Sequence, residues 1–156
     1  MRTLILLLLL FPLATACASG PGKSELDAEV KRLCAIDGGV KVYETVALPL
    51  EKFNQRREIN FYQPAQGENA LGHEYLYKRE IRYLLKGEYE KPAMWRTQEQ
   101  VFRKVDEKLL GESVSYARRG GDIPGPWHPS SYICPDLKNL NLLEQVFVIQ
   151  KKGDGK

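Results

Sequence analysis

The chain has 156 residues, a formal net charge of +3, and 43% hydrophobic against 28% charged residues. That length suits one globular domain, and the hydrophobic share excludes wholesale disorder. Three cysteines are too few for a disulfide-dense mini-protein. The basic pairs Arg56-Arg57, Lys78-Arg79, Arg118-Arg119 and Lys151-Lys152 are scattered, so no nucleic acid is expected as a partner.

Residues 1–16 read as a secretory signal. Arg2 is the positive start, Leu4 to Leu13 an apolar run, and Ala14, Thr15 and Ala16 the small residues that follow. The run is about half of the ~20 residues that a membrane-spanning helix needs, so no transmembrane anchor is expected. The stretch Leu13-Ala14-Thr15-Ala16-Cys17 resembles the lipobox of bacterial lipoproteins, although Ala14 stands where leucine is commonest. The resemblance implies that Cys17 becomes the first mature residue and carries acyl chains, such as palmitate, on its sulfur and amino group. Ala18 is then not an inner-membrane retention residue, which implies a Gram-negative outer membrane with the protein facing the periplasm. The alternative is an ordinary signal with a coincidental cysteine and a soluble periplasmic product. The expected organisation is a signal over 1–16, a lipidated cysteine and flexible tether over 17–23, and a single globular domain over 24–156.

With Cys17 assigned to lipid, Cys34 and Cys134 remain. An even count in an oxidising compartment suggests one disulfide. Its loop of 100 positions is worth about 4.7 kcal/mol at most in the chain-entropy model. A pair of free buried thiols is the alternative.

Ser24 has the character of a helix N-cap, with Asp27 at capping-box spacing. Leu26, Val30, Leu33 and Cys34 form one apolar stripe, and Asp37-Gly38-Gly39 should stop the helix. Val40 to Val46 alternates as a strand that Pro49 ends. Leu50, Phe53 and Arg57 suit a short helix, and Pro64, Gly67 and Gly72 mark an irregular stretch. Glu74 to Lys86 reads as a strand with Tyr75, Tyr77, Ile81, Tyr83 and Leu85 on one face and Arg79 as the exception among them; a helix is the competitor, since Leu76, Glu80, Tyr83 and Leu84 also fit its period, but the tyrosines favour the strand. Leu76, Lys78, Glu80, Arg82 and Leu84 take the other face. Residues 94–105 should pair antiparallel with it. A turn at 106–108 should return the chain as a strand over Leu109 to Arg119, which Gly120-Gly121 stops. From Asp122 to Pro135 the prolines predict a loop. A short helix near 136–143 and a strand over Gln145 to Gln150 complete the order. The fold class is α+β, an N-terminal helix packed on a mostly antiparallel sheet of about four or five strands.

Candidate chemistry is sparse. His73 and His128 are the two histidines; with Glu74 and Asp122 they lack the spacing of a zinc motif, and no metal or cofactor is expected. The loop 122–131 gathers Asp122, Trp127, His128, Ser130 and Ser131. Those side-chain types could assemble a nucleophile, base and orienter, yet no nucleophile elbow frames the serines. The competing reading is a proline-stiffened loop covered by Trp127. No catalytic residue is assigned. Aromatic residues concentrate between Phe61 and Trp95, and with Arg79 and Arg82 they could stack on a glycan or a partner protein; in the competing reading they pack in the core.

The run Cys34-Ala35-Ile36-Asp37-Gly38-Gly39-Val40-Lys41-Val42-Tyr43-Glu44-Thr45-Val46, with the region from Arg118-Arg119-Gly120-Gly121-Asp122 to Cys134, resembles small uncharacterised lipoproteins of Gram-negative bacteria. It spans about half of the mature chain and implies no activity. The expected function is a non-enzymatic, lipid-anchored envelope module, with the membrane and an envelope protein or glycan as partners. The alternatives are an envelope hydrolase or isomerase centred on His128 and Ser130, or an inhibitor that blocks a foreign enzyme or phage with the 122–131 loop.

Overall fold

The computed structural model describes residues 20–56, 58–59, 71–88, 91–123 and 128–150. Helix α1 (Lys23–Asp37) is followed by β1 (Gly39–Val42), β2 (Val46–Leu48) and a 3-10 turn (Leu50–Lys52). A meander of long strands comes next: β3 (Tyr75–Leu85), β4 (Ala93–Arg103) and β5 (Lys108–Arg119). The chain ends with β6 (Ser131–Cys134), a 3-10 turn (Leu137–Asn139), α2 (Leu142–Val146) and β7 (Phe147–Ile149).

Among the described residues the main sheet has five strands, all antiparallel, in the order β1-β5-β4-β3, with β6 also on β5. β1 pairs with 111–114 and β6 with 116–119, so the two short strands share one edge of β5 end to end. A helix packed on a mostly antiparallel sheet is the expected α+β architecture. A separate pair, β2 with β7, is parallel.

Strand alternation makes two cores. One face of the sheet presents Met94, Val114 and Tyr116 to Val30 and Cys34 of α1. The expected stripe is observed: Leu26, Val30 and Cys34 are buried, and Leu33 packs at their margin. The second core joins Val101, Tyr75 and Leu110 to Leu142, Val146 and Phe147 of the C-terminal segment. A bulge builds it. Val101 lies opposite Gly111 and Phe102 opposite Leu109, leaving Leu110 as the extra residue. Leu110 is then fully buried, which contributes about 1.5–3 kcal/mol for a side chain of its kind. A second irregularity skips Leu84 and sets Leu85 beside Met94, so Leu85 leaves the tyrosine face and joins the helix-side core.

Several local expectations need correction. α1 starts from Gly22 without a side-chain cap. The Lys23 amide instead donates to Gly121 O at 2.7 Å, and a terminus served by backbone needs no serine cap. The strand expected over Val40 to Val46 is two strands, β1 and β2. Tyr43 N and Glu44 N both donate to Leu110 O, which turns the chain off β5 so that Val46–Leu48 can join β7. The 122–135 segment is not all loop, because Ser131–Cys134 pairs with β5; the flanking prolines leave those four residues free to donate. At the C-terminus Val146 ends α2, and the strand is only Phe147–Ile149. The helix near 136–143 is a 3-10 turn followed by the later α2. Arg57, Pro64 and Gly67 lie outside the described residues.

Candidate functional site

β5 carries Arg118 on its helix-facing side, where it is 1% exposed. Its Nε donates to Asp27 Oδ1 at 2.6 Å. Its Nη1 donates to Gly120 O at 3.1 Å, Ser130 O at 3.0 Å and Ser130 Oγ at 2.7 Å. Ser130 in turn donates to Asp122, from Oγ to Oδ1 and from its amide to Oδ2, each at 2.7 Å. Lys23 Nζ stands 3.8 Å from the same carboxylate. The hydrogen bonds from the Ser130 side chain and amide hold Asp122 below its ordinary range against the opposing effect of desolvation, and Lys23 and Arg118 add to the lowering.

That arrangement is poor nucleophile chemistry. The Ser130 hydroxyl already donates to Asp122 and accepts from Arg118. A carboxylate with a depressed pKa is a weak base for proton abstraction. His128 is exposed, and the described contacts of Ser130 and Asp122 include no imidazole. The loop's Ser130 and Asp122 therefore come together as a structural clasp on Arg118. Trp127 lies outside the described residues. Among the described residues no group of three or more His, Cys, Asp or Glu could hold a metal ion.

Cys34 on α1 and Cys134 on β6 are disulfide-bonded, with S–S 2.06 Å and Cα–Cα 5.9 Å. The bond ties the helix to the short strand that carries on from the Arg118 clasp.

The other sheet face carries Tyr75, Tyr77, Tyr83 and Trp95 of the aromatic set; Phe61, Tyr62 and Tyr89 lie outside the described residues. Tyr83 lies opposite Trp95, Ile81 opposite Thr97, and Arg79 opposite Glu99. One strand further, Trp95 faces Ala117, Thr97 faces Ser115 and Glu99 faces Ser113. Residues opposite each other share a face, so these side chains form three rows across three strands. The Tyr83 and Trp95 rings are 6.2 Å apart. Arg79 Nε is 3.6 Å from Glu99 Oε1, and Ser113 Oγ donates to Glu99 Oε2 at 3.2 Å. Burial raises the Tyr77 hydroxyl above its usual range, and its hydrogen bond to Glu99 raises it further. Towards β3 the face opens: Tyr83 is 57% and Ile81 48% exposed.

The two arginines expected on one stacking surface are separated. Arg79 stands on the aromatic face, in the row of Glu99, whereas Arg82 lies opposite Arg96 on the helix-facing side. The pleat sends residues three apart to opposite faces. Sequence reasoning also missed Glu99 and Ser113, although the register of the 94–119 hairpin would have placed them. Arg118 and Asp27 carried no local signal, because 91 positions separate them. A third polar group lies on the helix side: Arg96 Nη2 donates to Asp37 Oδ2 at 3.0 Å and Tyr116 OH to Asp37 Oδ1 at 2.7 Å. Desolvation opposes ionisation of Asp37, but these two hydrogen bonds and the nearby charges leave it below the ordinary carboxylate range.

No family model matches the chain, and no curated protein or solved structure matches it either.

Proposed function

We propose that the chain is a non-enzymatic, lipid-anchored module of the cell envelope that binds another macromolecule through the sheet surface around Tyr83 and Trp95. The anchor is Cys17, in the outer membrane, with the domain facing the periplasm. The lipobox resemblance supports the anchor. Among the described residues no helix is long and apolar enough to cross a membrane. Several acyl chains at about 0.8 kcal/mol per buried methylene would hold the protein firmly.

One observation carries the binding reading: an aromatic pair, Tyr83 and Trp95, on the same sheet face as the Arg79–Glu99 ion pair, with the Ile81–Thr97 row between them, away from α1. An aromatic face on one surface with paired charges suits the ring of an envelope glycan or a protein side chain. The non-enzymatic reading draws on the Ser130 hydroxyl, whose hydrogen bonds hold Arg118 and Asp122 in place. A second reading, the inhibitor with a presented loop, draws on the 82% exposure of Ile123 and the exposure of His128.

The test is a photo-crosslinking residue at position 83 or 128 in intact cells. The module predicts a reproducible adduct with an envelope glycan or protein from position 83 and none from 128. Adducts from 128 alone would support the loop inhibitor. No adduct from 83 except to a second copy of the chain would overturn the binding surface.

A further inference from the structure

Among the described residues β3 is the outer strand of the main sheet, bonded to β4 on one side only. From Lys78 to Leu84 every residue is exposed, on both faces of the strand. Such an edge presents a row of unpaired amides and carbonyls and is a template for another strand. Its length makes it unusual, since β3 has 11 residues where edge strands are commonly kept very short. Its side chains combine exposed Ile81, Tyr83 and Leu84 with Lys78, Arg79, Glu80 and Arg82.

We infer that β3 pairs antiparallel with β3 of a second copy of this chain, about a two-fold axis at Ile81. The charge pattern selects this occupant and this register. In an antiparallel self-pair without a bulge the axis passes through one residue, and each contact occurs twice. Centred on Glu80, the pair would set Glu80 against its own copy and Lys78 against Arg82. Centred on Arg79 or Arg82, it would set arginine against arginine. Centred on Tyr83, it would keep only 81–85 within the strand, across the irregularity at Leu84. Centred on Ile81, it sets Glu80 against Arg82 and Arg79 against Tyr83, each twice, with Ile81 on Ile81, and these contacts over 79–83 stop short of the irregularity at Leu84. No like charges then oppose each other.

Within one chain these groups are poorly served. Arg82 lies opposite Arg96, and Arg96 is already bound to Asp37. Among the described residues neither Glu80 nor Arg82 has an ion-pair partner. Charges on an edge commonly repel other strands. Here the same charges favour one register and disfavour its neighbours, which is how an interface excludes wrong partners. The pairing would continue the Tyr83–Trp95 surface across the axis, with Arg79 of the second copy over Tyr83.

The test uses the full chain in mild detergent. Sedimentation should show a concentration-dependent dimer. E80R or R82E should weaken it about tenfold or more, since each change turns two attractive pairs repulsive. The double variant E80R/R82E should restore it. Opposed Cα atoms in an antiparallel pair lie within disulfide reach. I81C should therefore give a reducible covalent dimer alone, whereas E80C and R82C should do so only when mixed. A monomer at every concentration, a dimer indifferent to E80R and R82E, or an I81C chain that never crosslinks would overturn the inference.

Discussion

Arg118 shows how a single residue organises the region between helix and sheet. A buried guanidinium is tolerated only when its donors are satisfied and its charge is met. Asp27 meets the charge, and Gly120 and Ser130 take the remaining described bonds. Replacing Asp27 with alanine leaves that charge buried without its carboxylate and should cost about 3 kcal/mol, read as a lower urea midpoint at an unchanged slope. Asp122 belongs to the same clasp and gives it a pH dependence. Its folded pKa lies below the ordinary value of 3.8, so its stabilisation is present above that value and is lost as pH falls through the folded one. The unfolding temperature should therefore fall on acidification below about pH 4. In D122N the acid decline should be shallower, and the gap from the parent chain should narrow with falling pH. A gap that widened in acid would contradict the assignment.

At the scale of elements, the long strands were legible because their alternation runs far, with Arg79 the exception in β3. Tyr75, Tyr77, Ile81 and Tyr83 keep one parity, and the turn expected at 106–108 falls at 104–107, joining strands of 11 and 12 residues. The two irregularities were not legible, because which residue is extra depends on the core it must fill. β6 was hidden by its flanking prolines, and β2 by the continuous alternation of Val40, Val42 and Val46. Of the candidate site, the aromatic row was readable from β3 alone. Its acidic partner Glu99 depended on register, and Arg82 was misplaced by treating two arginines on one strand as neighbours. The C-terminal segment rests on a glycine: a Cβ at Gly111 would stand 2.7 Å from Val146 Cγ2 and 3.1 Å from Lys41 O. Gly111→Ala should therefore destabilise by about 1–3 kcal/mol. Amide exchange should rise first in 142–149, while α1 stays protected. The Cys34–Cys134 bond closes the other side of the molecule. A chain with both cysteines changed to alanine should lose up to about 4.7 kcal/mol, the loop-entropy limit for a bridge of this span. Equal stability of the two chains in denaturant would show that the bond constrains nothing.

For the whole molecule, the main sheet divides the work between its faces. The helix side holds the disulfide, the Arg118 clasp and the Asp37 network, all of which fix structure. The opposite side is sealed at one end by α2 and β7 and presents Tyr83, Trp95, Arg79 and Glu99 towards β3. α1 begins beside Gly121, where the Lys23 amide is bound, so the proposed lipid at Cys17 would precede the chain's entry at the clasp end of β5. The account stands on that lipid. The most direct test is the intact mass of the protein taken from isolated membranes, before and after reduction. The expected result is a chain that begins at Cys17, carries acyl chains and gains the mass of one pair of hydrogens on reduction. A chain of ordinary peptide mass, free of lipid, would contradict the anchored module and leave a soluble protein or an uncleaved one.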